Sequence, residues 1–293
     1  MAMAQVCTTG ETIGNQGHRD VAVRRGTGEA GRMTITPPGR LLQQLVTGPT
    51  LVSHVLWLER IDSTNAEVAR RAAGGADAGL LVLADEQTAG RGRQGRTWHA
   101  PPGTSLMGSL LLRPGAAVEH LTLLPLLVGL ALAEASETLV SGAQLSLKWP
   151  NDLLADGRKC AGILVEAPAP DVVVAGLGVN VDWRHVRRPP DLAEVTSLSQ
   201  VRRGPVDRWR LLEAFAERFD LRHSAWCVEP RGFLPAYRER CATLGREVRV
   251  EQPAGRTLHG TASRITDEGA LVVDADGAEV TVRAGDVHHL RHR

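Results

Sequence analysis

GLLVLADEQTAGRGRQGRTW, residues 79–98, passes from an apolar run into a loop of alternating glycine and arginine. The run at 79–84 is short and bounded by turn formers, the pattern of a buried strand. The loop at 90–96 holds three glycines, three arginines and one glutamine. Glycine has no Cβ, so its backbone can come close to a bound group. Arginine offers a rigid fork of donors that matches carboxylate and phosphate oxygens. Such a loop has little structure of its own, and we expect it to stay mobile until an anion orders it. The alternative is a solvated Arg-Gly segment that grazes RNA. Against that, the loop is tied to a buried strand, and only Trp98 is near enough to stack on a base. No GxxxxGK[ST] phosphate loop occurs in the chain.

On the N-terminal side of this stretch, residues 52–58 alternate as a strand, and Thr64 with Glu67 has capping-box spacing ahead of a helix-forming run at 66–73. Residues 1–39 lack apolar periodicity and read as a disordered extension, with Met33 as an alternative start and no helix-turn-helix. On the C-terminal side, residues 106–112 read as a strand and 121–139 as a buried helix, apolar nearly all round. Residues 145–149 form a strand that runs into Pro150. A tight turn at Asp156-Gly157 precedes a hairpin-like pair of strands at 159–166 and 172–181. Asp207 can cap a helix reaching about Trp226, with a shorter helix after Pro230. Beyond Thr243, short alternating runs separated by Gly, Asp and Pro turns indicate a small all-β barrel. Three regions follow: 1–39, 40–242 and 243–293.

With 293 residues, 43% of them apolar, the chain can bury a large core plus a small one. Its net charge of +1 gives no global field toward nucleic acid or membrane, so basic character is local. Cys7, Cys160, Cys227 and Cys241 share no CxxC spacing and no histidine pairing, which points to a reduced, cytoplasmic setting. The apolar run at 121–133 is interrupted by Pro125 and Gly129 and falls short of the ~20 residues a membrane span needs. His99, His120, His288 and His289 have no partners at metal-type spacing, and most of them read as surface residues.

Taken singly, the polar candidates have bland readings as well as chemical ones. Lys148 in LSLKWP is either a lysine on the wet side of an edge strand or a cation aimed into a cleft. Asn151 and Asp152 form an Asx turn, bind a base or hold Mg²⁺. Lys159 is a solvated strand start or a ligand contact, and Gly162 within the same strand suggests a close approach. Asn180, after Gly176 and Gly178, is a satisfied amide or a ligand contact; Ser63 and Thr64 are caps or partners for a small polar ring. Neither a nucleophile–base arrangement nor paired carboxylates stand out. Cations, glycines and amides suit a reaction whose difficulty is electrostatic, such as bringing a carboxylate up to a polyphosphate.

IDSTN (61–65), EQTAGRGRQGRTW (86–98), KWPNDLL (148–154), KCAGILVE (159–166) and GLGVNV (176–181), in this order, resemble the biotin protein ligases. The resemblance spans roughly residues 40–290. It implies an α+β fold similar to class II aminoacyl-tRNA synthetases, a mixed sheet flanked by helices, with a small C-terminal SH3-like β-barrel. It implies biotin and MgATP as substrates, a biotin carboxyl carrier domain as partner, and biotinyl-5′-AMP as the intermediate. Ser63, Thr64 and Gln87, with Asn65 beside them, would meet the ureido ring. Arg91, Gly92 and Arg93 would form the loop that closes over biotin and the adenylate phosphate, and Gly90 and Arg96 would meet the adenylate, Arg96 also helping to order the loop. Lys159 would contact the carboxylate or acyl phosphate, and Gly162 would line the pocket. Lys148 would be the electrophilic cation, and Trp98, Asn151, Asp152 and Asn180 would surround the adenylate and Mg²⁺. Some relatives carry an N-terminal winged helix; nothing before residue 40 matches it, so a monofunctional ligase without operator binding is expected. A lipoate or octanoate ligase of similar fold is the rival enzyme, and a homodimer is left open.

Overall fold

The computed structural model describes residues 21–24, 38–187, 194–252 and 255–290. The strands are β1 (Val21–Arg24), β2 (His54–Ile61), β3 (Leu80–Gln87), β4 (Ser105–Leu112), β5 (Leu145–Lys148), β6 (Asp152–Ala155), β7 (Arg158–Ala169) and β8 (Val172–Asn180). They form one sheet in the order β1-β2-β3-β4-β8-β7-β6-β5. β1, β2 and β3 are parallel, and the remaining neighbours are antiparallel. The sheet is therefore mixed, with β5 at one end.

Two helices cover one face. α3 (Leu124–Glu137) is buried on every side, and α5 (Arg208–Val228) packs across it. Together with α1 (Gly39–Thr47) they enclose the main core, where Leu42, Trp57, Leu83, Leu106 and Leu211 are almost fully buried. Among the described residues, one helical run, Ala117–Glu137, has the length and hydropathy of a membrane span. It occupies this core, which accounts for its apolar surface. Among the described residues the opposite face carries one helix, α2 (Thr64–Ala73), packed on Leu56, Val82 and Leu111, and a small cluster of Ala100, Met107 and Trp183. The remainder of that face is open to the loop that follows β3.

A buried ion pair fastens the two halves of this arrangement. Arg208, the first residue of α5, places its guanidinium 2.6 Å from the carboxylate of Asp85 near the end of β3, with both side chains under a tenth exposed. A second guanidinium nitrogen donates to the Ser105 carbonyl at 3.2 Å. Removing one partner strands a buried charge, so Asp85→Ala should cost about 3–5 kcal/mol, read by urea unfolding. A surface-like loss below about 1 kcal/mol would show that water reaches the pair.

The C-terminal unit is a five-stranded sheet in the order β12-β11-β10-β9-β13, consistent with a small SH3-like barrel. Its strands are β9 (Glu247–Glu251), β10 (Thr257–Ile265), β11 (Leu271–Ala275), β12 (Ala278–Val282) and β13 (Asp286–His289). Between the two units run α4 (Leu198–Arg202), α5 and α6 (Leu234–Arg240).

Four expectations need correction. Val21–Arg24, placed in the disordered extension, is a strand parallel to β2; the rest of residues 1–37 lies outside the described residues. Ser63, not Thr64, caps α2, because its oxygen faces the Ala66 amide while Glu67 pairs with Arg70 and Arg71. The barrel has a strand, β13, that the turn spacing did not reveal. His289 on that strand is partly buried, with Nε2 3.1 Å from the Thr243 hydroxyl, so it is not a surface residue.

His223 gives the fold an acid-sensitive point. It lies between Phe219 and Trp226 with centroid distances of 5.6 and 5.5 Å, and burial lowers its pKa to about 4 from an ordinary 6.5. The unfolded chain binds a proton between those values and the folded chain does not. Stability is therefore full above 6.5 and falls as pH drops toward 4. His223→Phe should flatten the slope of stability in that window by up to ~1.4 kcal/mol per pH unit, measured by denaturant melts at stepped pH.

Candidate active site

Side-chain alternation along the strands builds the floor of the site. On the open face, Met107 stands opposite Gly178, which stands opposite Gly162; the next row runs Ser109, Gly176, Leu164. Three of these six positions are glycine, so the centre of the floor is bare backbone. The space is taken by neighbours: a Cβ on Gly178 would sit 2.5 Å from the Trp98 ring, and one on Gly162 3.1 Å from it. A Cβ on Gly176 would fall 1.9 Å from Asn65 Oδ1.

One wall is polar. The backbone N–H and hydroxyl of Thr64 both donate to Gln87 Oε1, at 2.7 and 3.1 Å. The Ser109 hydroxyl lies 2.8 Å from the Thr64 oxygen and 2.6 Å from Asn65 Oδ1. Asn65 Nδ2 donates to the Leu164 carbonyl and to Glu166. Ser63, Thr64, Asn65 and Gln87 all border the cavity; the amide of Asn65 is committed to protein partners, while Gln87 Nε2 has the Met107 sulfur at 3.4 Å.

The arginine loop is the roof. Its two limbs are joined by Trp98 N–H to Gly90 O and Gly92 N–H to Arg96 O, at 2.9 and 2.7 Å. Where the sequence suggests a mobile loop, the structure shows its cations held by protein groups. Arg91 lies 2.7 Å from Glu166, and Arg96 lies 2.6 Å from Asp286 of the barrel. Arg93 donates to Asn151 Oδ1 at 3.2 Å and to the Gly285 carbonyl at 3.4 Å. Both arginines of the ion pairs are more than half exposed, so each pair is worth about 0–1 kcal/mol and exchanges readily for a ligand anion.

These elements enclose a cavity of about 120 Å³ lined by Ser63, Thr64, Gln87, Arg93, Trp98 and Gly162, with Asn65, Arg91, Gly92, Arg96, Asn151 and Lys159 around it. It adjoins a second, wider cleft of about 1360 Å³ between β5 and the barrel, lined by Lys148, Asp152, Arg246 and His289. Arg96 and Lys159 line both. Lys159 Nζ sits 2.6 Å from Asp152 and 5.9 Å from the centre of the Trp98 ring. Burial holds the Lys148 ammonium below the usual lysine value, partly offset by Asp152. Gly90 and Asn180 line neither space. Gly90 serves the loop's own closure, while Asn180 Nδ2 donates to the Thr196 carbonyl and its Oδ1 is buried without a partner among the described residues.

No group of three metal-ligating side chains occurs among the described residues. Asp152 is a single carboxylate beside a lysine. Such a donor set fits an Mg²⁺ ion delivered on a polyphosphate, which needs only one or two carboxylates, and not a resident ion.

Glu166, Ser109, Thr243 and Asp286 hold parts of this site that the sequence alone did not single out. Glu166 stands at the end of KCAGILVE, so its place was visible although its partners were not. Asp286 lies 190 residues from Arg96, and no spacing links them.

A small glycine-floored pocket, opening through two shared cations into a cleft wide enough for a nucleotide, defines a site for joining an anion to a polyphosphate. Comparisons with known proteins agree. Residues 57–181 match the Biotin/lipoate A/B protein ligase family, and residues 243–290 match the Biotin protein ligase C terminal domain. A Biotin--[acetyl-CoA-carboxylase] ligase of Mycobacterium tuberculosis is 40% identical over 233 residues, covering 78% of this chain and 86% of the relative. A Bifunctional ligase/repressor BirA of Bacillus spizizenii is 31% identical, covering 94% of this chain and 86% of the relative. The structure of a biotin protein ligase from Aquifex aeolicus in complex with biotin and ATP superposes with a TM-score of 0.71 at 28% identity, over 81% of this chain and 99% of that one. The chain belongs to the biotin protein ligase family. The lipoate and RNA-binding readings are set aside.

Proposed function

We propose that the two adjoining spaces divide the chemistry of an ATP-dependent biotin protein ligase. Biotin occupies the glycine-floored pocket, with its ureido ring against Ser63, Thr64 and Gln87 and its carboxylate toward Lys159. MgATP lies in the cleft beside Lys148, near Trp98, Asn151 and Asp152. A biotin carboxylate oxygen attacks the α-phosphorus, the bond to the β-phosphate oxygen breaks, and pyrophosphate leaves. The ε-amine of a carrier-domain lysine then attacks the acyl carbon, an amide bond forms, and AMP departs. Lys148 neutralises charge that builds on the α-phosphate, while the closed loop keeps water from the mixed anhydride.

The observation that carries this reading is the sharing of Lys159 and Arg96 between pocket and cleft, which brings two anions to one cationic boundary. Biotin-dependent exchange of labelled pyrophosphate into ATP tests it. Exchange with biotin and none with lipoate is expected; no exchange with either would end it. The same reading takes residues 40–242 as the catalytic unit and 243–293 as the barrel. It places the enzyme in the cytoplasm with a biotin carboxyl carrier domain as partner. It also takes the chain as monofunctional, because the stretch before residue 40 has no apolar periodicity from which a helix-turn-helix could be built. A gel shift should show no sequence-specific DNA binding, and a tight, specific shift would refute that part. A homodimer is compatible with this scheme and not required by it; sedimentation velocity reads it directly.

A further inference from the structure

β5 is four residues long, stands at the end of the sheet, and carries Lys148 as its last residue. On one side it pairs with β6. A short end strand with one neighbour is a poor mount for a cation that must be placed to within a fraction of an ångström. Its other side is held by the segment entering the barrel. The Leu147 carbonyl accepts from Ala242 N–H at 2.8 Å, and Trp149 N–H donates to the Thr243 hydroxyl at 3.1 Å. The Trp149 indole N–H donates to the Gly269 carbonyl at 2.9 Å. The residues on either side of Lys148 are therefore both pinned from the same direction.

Thr243 is fully buried. Its oxygen accepts from Trp149 N–H, which can only donate, so the hydroxyl proton goes to another neighbour, and the two at hand are the Cys241 thiol, a weak acceptor, and His289. His289 Nε2, 3.1 Å away on β13, is placed to accept it. Burial, with Lys148 and Arg246 nearby, lowers the His289 pKa to about 4, so the ring is neutral and can offer a lone pair. The link runs from β13 through one hydroxyl to the backbone beside Lys148.

We propose that Thr243 is a positioning residue for Lys148, fixing the strand end through the Trp149 amide and itself oriented by His289. This rests on the role given to Lys148 above. Thr243 lines neither the pocket nor the cleft and touches no substrate; its effect passes through the placement of the lysine.

The test uses the full chain and biotin-dependent pyrophosphate exchange. Thr243→Val keeps the volume and removes the hydroxyl. Its kcat should fall roughly 10- to 100-fold with the KM for biotin within about twofold, since small misplacements of a reacting group cost rate more than binding. Thr243→Ser should restore kcat to within about twofold. In a Lys148→Ala background, Thr243→Val should cost less than about twofold further, because two residues acting as one are not additive. His289→Phe should lose kcat severalfold, and His289→Gln, whose carbonyl oxygen can reach the same place, should regain most of it; because His289 also lines the cleft, the pair decides the matter, if Thr243→Val does not fold, by leaving the KM for ATP within about twofold in both variants, whereas a rise in that KM with kcat kept would overturn the proposal. Full activity of Thr243→Val, failure of serine to rescue, or equal losses in both backgrounds would overturn the proposal. If the unmodified enzyme exchanges and Thr243→Val matches it, the ligase reading stands and positioning falls; if the unmodified enzyme does not exchange, both fall.

Discussion

Lys148→Ala should lower biotin-dependent pyrophosphate exchange by about 10²–10³-fold, the scale expected when one preorganised charge facing a developing anion is removed. The side chain lines the cleft and not the glycine-floored pocket, so biotin affinity by calorimetry should stay within a few fold. Lys159→Ala offers the contrast, because Lys159 lines both spaces and should lose affinity as well as rate. Lys148→Arg should recover only part of the loss: it keeps the charge and spreads it over a planar group in a half-buried position. Near-normal exchange by Lys148→Ala would remove the residue from the mechanism.

Arg93→Gly should separate making the intermediate from keeping it. The Arg93 side chain crosses from the loop to Asn151 and to the Gly285 carbonyl of the barrel, joining the roof to both walls of the site. Glycine removes both hydrogen bonds and frees the backbone beside Gln94, which already has a positive φ of 54°. Adenylation should continue at a reduced rate, while release of biotinyl-5′-AMP rises on the order of 10- to 100-fold because the lid no longer stays shut. Quenched-flow chromatography measures the release, and labelling of an unrelated lysine-bearing protein reports the escaped anhydride. The melting temperature should change little, since the two hydrogen bonds are polar links near the surface and no apolar core is disturbed. Unchanged retention of the adenylate would show that another group closes the site.

Much of this architecture was legible in the residues. Strands with continuous apolar runs, such as β4 and β8, announced themselves, and so did the barrel, through its turn spacing. Gly162 within an apolar strand suggested a close approach by a ligand or another backbone, and the group found beside it is the Trp98 ring. That Gly178 faces Gly162 across the sheet could not be read, because register is a property of two strands. The polar residues at the start of α2 were visible as a group, but which of them caps and which faces the cavity depended on Gln87, 23 residues away. The loop was the least legible part. Local composition shows three free cations, and the groups that hold Arg91 and Arg96 come from 75 and 190 residues further on.

The tie between Thr243 and Trp149 spans 94 residues of chain, and it bears on the birth of the molecule. At ribosomal speeds of roughly 5–20 residues per second, a nascent polypeptide carries its arginine loop, complete in sequence at Arg96, for about 7–30 s before Thr243 is made and the tie can form. On the proposed scheme, the half-made enzyme in that interval would have cations to attract vitamin and nucleotide but no firm seat for Lys148. A translation product cut short ahead of the barrel would lack this tie and, on the same scheme, should form the activated vitamin slowly, so little would reach bystanders.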